Sequence, residues 1–167
     1  MDEVLMSHEK SAGGLASFGF GAHRLQGSQQ VIVNNSLTRF QPTTLVDPNT
    51  MITTGASWRA TLPAGADGYW DVTLNLAVTL TGATWTPDDY LVFTLFAGAE
   101  QQQQYIVGHT YAEAIGSDLP MIINVTVRVP FAALVATNQI YATILNVNAG
   151  TLPINVQGWI GAHRVGT

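Results

Sequence analysis

The sequence predicts an all-β fold, a sandwich or barrel of eight to ten strands. Three observations lead there. Trp70, Val72, Leu74, Leu76, Val78 and Leu80 alternate with Asp71, Thr73, Asn75, Ala77 and Thr79, the period of two expected of a strand with one buried face. Short apolar runs recur along the chain, separated by Gly, Pro and Asn. No apolar period of 3.6 is sustained anywhere, so helix is confined to single turns at 112–115 and 131–136.

The elements follow in order. Met1 to Ser17 carries Asp2, Glu3, Glu9 and Lys10 and ends in the joint Ser11-Ala12-Gly13-Gly14, which predicts a flexible arm (1–17) ahead of a head domain (18–167). Phe18 to Leu25 is a first strand, Val31 to Val33 a short second piece, and Leu37 to Val46 a third strand. Pro42 interrupts that third strand and puts it at an edge or a bulge, because proline has no N–H to give a ladder. After the Asp47-Pro48-Asn49 turn, Met51 to Leu62 is a broken strand that feeds the Pro63 turn and the long alternating strand. At that length it is expected to cross the middle of a sandwich. Thr86-Pro87-Asp88-Asp89 is a loop. Tyr90–Phe96, Tyr105–Tyr111, Met121–Val129, Ile140–Val147 and Leu152–Val165 complete the set.

Composition narrows the function. The chain has 167 residues, 47% apolar and only 10% charged, with a net charge of −5. So little charge implies a surface that is polar and uncharged, or one covered by another subunit. The six Lys and Arg are scattered, which excludes a phosphate-tracking nucleic-acid surface. No cysteine is present, so there is neither a disulfide framework nor thiolate chemistry. The acidic, polar start is not expected to be a secretory signal, and no apolar run is long enough for a membrane-spanning helix.

Phe20-Gly21-Ala22-His23-Arg24-Leu25 returns as Ile160-Gly161-Ala162-His163-Arg164-Val165, in the first and last main strands. Two strands that lie side by side share an environment, and the small residues would let another backbone approach closely.

Taken together, Asn34-Asn35, Thr38-Arg39-Phe40, Pro48-Asn49, Trp58-Arg59-Ala60-Thr61-Leu62-Pro63, Gly68-Tyr69-Trp70 and the closing Gly158-Trp159-Ile160-Gly161 resemble the globular heads of the complement and tumour-necrosis-factor superfamily. The likeness runs from Phe18 to Val165. It loosens at Trp58, where the aromatic–Thr–Ala–Pro order of that superfamily is not kept, and no collagen stalk is present. The resemblance implies a ten-strand jelly-roll sandwich that assembles as a tight homotrimer. Compact heads of this sort without a stalk also occur in bacteriophage virions, as capsid decoration (cement) proteins and as fibre heads.

Candidate sites follow from these two lines. Tyr69, Tyr141 and Trp159 fall on the face opposite the local apolar series and need a cover, which a neighbouring subunit would supply. With Asn75 and His163 they form the expected trimer interface. Val4, Leu5 and Met6 are the expected capsid contact of the arm. His23 and His163 recur at matching positions but lack the further ligands a metal needs. Arg24 and Arg164 suit either a carboxylate partner or a solvated edge. Asp88-Asp89 reads as turn chemistry and not as a calcium loop. No nucleophile motif, phosphate loop or carboxylate pair is present, so no enzyme, cofactor or metal is expected. The expected role is structural: a trimeric cement protein binding the major capsid protein or another shell protein, at the capsid surface of a virion made in the host cytoplasm. The alternatives are a receptor- or glycan-binding fibre head, or a bacterial surface or spore-coat head of the same fold.

Overall fold

The computed structural model describes residues 18–25, 29–33, 36–80, 90–99, 104–110, 121–131, 138–147 and 154–166. The predicted arm, the Asn34-Asn35 turn, the Asp88-Asp89 loop, most of the glutamine tract, and the suggested helical turns apart from Phe131 all lie outside the described residues.

Within the described residues, the alternation that marks strands in the sequence becomes two antiparallel sheets packed face to face. The first holds β1 (Gly19–Arg24), β2 (Gln30–Ile32), β4 (Thr43–Val46), β7 (Gly68–Leu80), β10 (Met121–Phe131) and β12 (Ile154–Gly166), in the order β10-β7-β12-β1-β4 with β2 also paired to β12. The second holds β3 (Ser36–Arg39), β5 (Ile52–Thr53), β6 (Arg59–Thr61), β8 (Tyr90–Ala99), β9 (Gln104–Thr110) and β11 (Asn138–Val147), in the order β5-β6-β11-β8-β9 with β3 also paired to β11. The chain passes repeatedly from one sheet to the other, and the first and last main strands are neighbours. This is a jelly roll.

The core is the sum of the inward faces. From β7 come Trp70, Val72, Leu74, Leu76 and Val78, all fully buried. Leu91, Phe93 and Leu95 of β8 and Ile140 and Ile144 of β11 meet them from the other sheet. Each such side chain contributes about 1.5–3 kcal/mol on leaving water. Trp70 anchors the base of the core: its ring stands edge-on to Phe131 at 6.1 Å, and its indole N–H donates to the Ala66 carbonyl at 2.8 Å. That bond ties β7 to the Pro63–Asp67 turn that precedes it.

The predicted third strand divides in two. β3 belongs to the second sheet and β4 to the first, and the chain changes sheets through Phe40, Gln41 and Pro42. Proline therefore marks a crossing between layers, not a bulge within one strand. The crossing is held by fully buried Phe40 and by the Gln30 side chain, which donates to the Arg39 carbonyl at 2.7 Å and accepts from the Gln41 N–H at 2.8 Å. The next turn is closed by Asp47, whose two carboxylate oxygens accept from the N–H groups of Met51 and Ile52 at 2.7 and 2.8 Å. Thr50 sits there at a φ of 55°. Broken strands such as these raise the count above the expected ten. Pro130 lies within β10, which it can occupy because β10 is an edge strand of its sheet.

A candidate subunit interface on the outer face of one sheet

The register of the first sheet sets which outward side chains are neighbours. Along β7 these are Tyr69, Asp71, Thr73, Asn75 and Ala77. Opposite them on β10 stand Pro130, Arg128, Thr126, Asn124 and Ile122. Opposite Asp71, Thr73 and Asn75 on β12 stand His163, Gly161 and Trp159. On β1, Gly19, Gly21 and His23 continue those three rows. Among the described residues these rows carry ionisable side chains at Arg128-Asp71-His163 and at His23, and are otherwise polar, small, aromatic or, at Ile122, aliphatic.

The Arg128-Asp71-His163 row neutralises itself. The Arg128 guanidinium donates two hydrogen bonds to the Asp71 carboxylate, at 2.7 and 2.8 Å. These bonds hold the Asp71 carboxyl below the usual carboxylate range, against a smaller opposing effect of desolvation, with the charges of Arg128 and His163 adding to the lowering. In the next row the hydroxyls of Thr73 and Thr126 are bonded to each other at 3.2 Å. Large apolar side chains stay exposed on this face: Ile122 is 62% exposed, Tyr69 48% and Trp159 43%.

Four of the five expected interface residues, Tyr69, Asn75, Trp159 and His163, share this face. Tyr141 does not. It lies on β11 in the second sheet and points outward there, on the far side of the core from the other four. Its cover is internal, since Phe96 stacks on it at 4.6 Å and 17° and the Arg39 guanidinium lies 4.0 Å above its ring. An outward aromatic needed a cover, and the same chain provides it.

The repeated six-residue segment is also resolved by the register. β1 and β12 are antiparallel neighbours with Gly21 opposite Gly161, so the two copies run in opposite directions about that pair. His23 then faces Trp159 and His163 faces Gly19, which separates the two histidines by ~14 Å at ordinary strand spacings. They do not form a pair, and no group of three His, Cys, Asp or Glu is close enough to hold a metal among the described residues. Arg24 and Arg164 each reach a backbone carbonyl of a neighbouring segment. Arg24 donates to the Gln41 carbonyl at 2.7 Å, and Arg164 donates to the Gly65 carbonyl at 3.1 Å and lies 5.9 Å from the centre of the Phe18 ring.

The four small residues of the repeat divide by face. Ala22 and Ala162 are buried against the core. Gly161 lies under the Trp159 ring, and a β-carbon there would meet that ring at 2.8 Å and the Phe20 carbonyl at 3.1 Å. Gly21 is open, with nothing within 4 Å of where its β-carbon would lie. Beside it the face sinks into a depression of 460 Å³, bordered by Phe18, Val46, Pro48, Thr73, Trp159 and His163. The rows themselves, including the Asp71–Arg128 pair, were not read from the sequence. Their only signal is the matching alternation of 69–77 and 122–130, and it is silent on which strands adjoin.

Comparison with known proteins gives the fold its place. No protein-family model and no curated protein matches the sequence. Solved structures do match. The PRD1 vertex protein P5 aligns with a TM-score of 0.52 and 19% identity, over 92% of this chain and 99% of that one. The globular domain of zebrafish complement 1qA protein aligns with a TM-score of 0.54 and 10% identity, over 89% and 97%. Eiger TNF from S. frugiperda aligns with a TM-score of 0.50 and 8% identity, over 89% and 92%. The chain therefore has the jelly-roll fold of the complement and tumour-necrosis-factor heads.

Proposed function

We propose that this chain is a non-enzymatic structural protein of a virion, a homotrimeric head that binds and stabilises a capsid shell through its major capsid protein or another shell protein. The observation that carries the trimer is the outer face of the first sheet. The Asp71–Arg128 pair on it is satisfied within the chain, and it exposes Tyr69, Trp159 and Ile122. Obligate interfaces have this composition, depleted in net charge and enriched in aromatic residues. Support for the virion setting comes from the likeness to a vertex protein over nearly the full length of both chains. In this reading Met1–Ser17 is the tether and Val4, Leu5 and Met6 touch the shell. The tether leaves from Phe18, whose carbonyl accepts from the Arg164 N–H, so it starts beside the last strand at one end of the sandwich.

The test has two parts. Light scattering of the purified protein at micromolar concentration should give about three times 17.9 kDa; a monomer mass would remove the trimer. Deletion of residues 1–14 should abolish co-sedimentation with capsids, and undiminished binding would sink the tether.

The word vertex in the matched protein's description favours a second reading, a head at the tip of a projection that binds a host receptor or glycan. Imaging of labelled particles separates the two. Label spread over the shell supports cementing, whereas label at vertices together with binding of the free head to host cells supports the projection.

A further inference from the structure

The depression beside Gly21 opens on the outer face of the first sheet, and Tyr69 is exposed on the same face. Resting on the trimer reading, we propose that the depression of each protomer is the socket for Tyr69 of the next. In a threefold ring the contact is heterologous, so two different patches of the one chain must be complementary. The socket and Tyr69 are such patches. The socket has no β-carbon at Gly21, apolar walls in Phe18, Val46 and Trp159, and polar groups of Thr73 and His163 at its rim. A tyrosine matches that chemistry, because its ring is buried with profit while its hydroxyl still finds a hydrogen-bond partner. Charge does not oppose the contact, since Tyr69 is flanked by Pro130 and Gly166 and the nearby Asp71 is already paired with Arg128. Within one chain Tyr69 cannot fill the depression. The register sets it two strands and four residues from Gly21, ~17 Å away at ordinary strand spacings.

The chain has no cysteine, so a designed pair reports without background. The double variant Gly21→Cys with Tyr69→Cys is oxidised at a concentration where light scattering of its reduced form reads a trimer. Both sites accept the change, Gly21 because the space above it is open and Tyr69 because it is exposed. Their separation within a chain far exceeds the ~7 Å limit for a disulfide, so any bond formed joins two chains. The expected result is a covalent trimer on a non-reducing gel that reverts to monomer with reductant. Absence of the cross-link in a protein that remains trimeric overturns the socket and leaves the trimer standing. A ladder that stops at the dimer overturns it too, and a monomeric wild-type protein removes both proposals. If the reduced double variant fails to assemble, Gly21→Leu decides, because it fills the socket and leaves Tyr69 in place. At least tenfold weaker assembly with an unchanged circular dichroism spectrum supports the socket, and wild-type assembly overturns it.

Discussion

Gly158 sits in β12 with a φ of 139°, and a β-carbon added there would fall on the Asn75 carbonyl and 2.8 Å from the Leu76 α-carbon. Both atoms are backbone of β7, the strand on which the first sheet is built, so neither can give way cheaply. Gly158→Ala is expected to lower the unfolding free energy by at least about 2 kcal/mol, read from the urea midpoint. Asp71 makes a prediction of a different kind. Its carboxyl is held low by Arg128, so the pair favours the folded state above the ordinary carboxylate pKa, and that contribution is lost as pH falls through the depressed value. Arg128→Met should move the Asp71 titration, followed by NMR of the carboxyl carbon, upward toward the ordinary carboxylate range. The stability difference between variant and wild type should be present at neutral pH and vanish in strong acid. Alternation around Asp71 is plain in the sequence, but its partner is not, because Arg128 becomes a neighbour only through the pairing of β7 with β10.

At the scale of elements, pattern was legible where a strand lies in one sheet and obscure where it leaves one. The inward set Trp70 to Val78 needs only its own period to be found. The crossing at Phe40-Gln41-Pro42 needs knowledge of what Gln30 reaches, and Gln30 lies on a strand of the first sheet. Gln30 is 6% exposed, so its removal strands an acceptor and a donor in a dry place. Gln30→Leu is expected to cost about 1–3 kcal/mol by thermal or urea unfolding. Tyr141 shows the same limit from the other direction. Its outward position was readable from the period of β11, but the ring that covers it, Phe96, lies on β8 and is adjacent only in the folded sheet.

For the whole molecule, the two outer faces differ in purpose on the present reading. Thr73→Arg places an unpaired charge in the centre of the proposed interface, where burial of a lone charge is costly. It is expected to yield a folded monomer of about 17.9 kDa by size-exclusion chromatography with light scattering. Gln139→Lys, outward on the opposite sheet, should leave the trimer intact. The asymmetry is the informative result, because general destabilisation would affect assembly in both variants.

Of the strands described, β12 is synthesised last, yet it lies between β7 and β1 and also pairs with β2. Until residues 154–166 have cleared the ribosome, the first sheet lacks its middle, and β1 has only β4 beside it. The inward faces of β1 and β7 must therefore wait, unpaired along one edge, for a partner more than a hundred residues away from β1. Non-local pairing of this sort makes folding slow and leaves apolar strand exposed in the interim. Chains stalled before β12 should be the ones that recruit chaperones, and release of a few further residues should end that dependence.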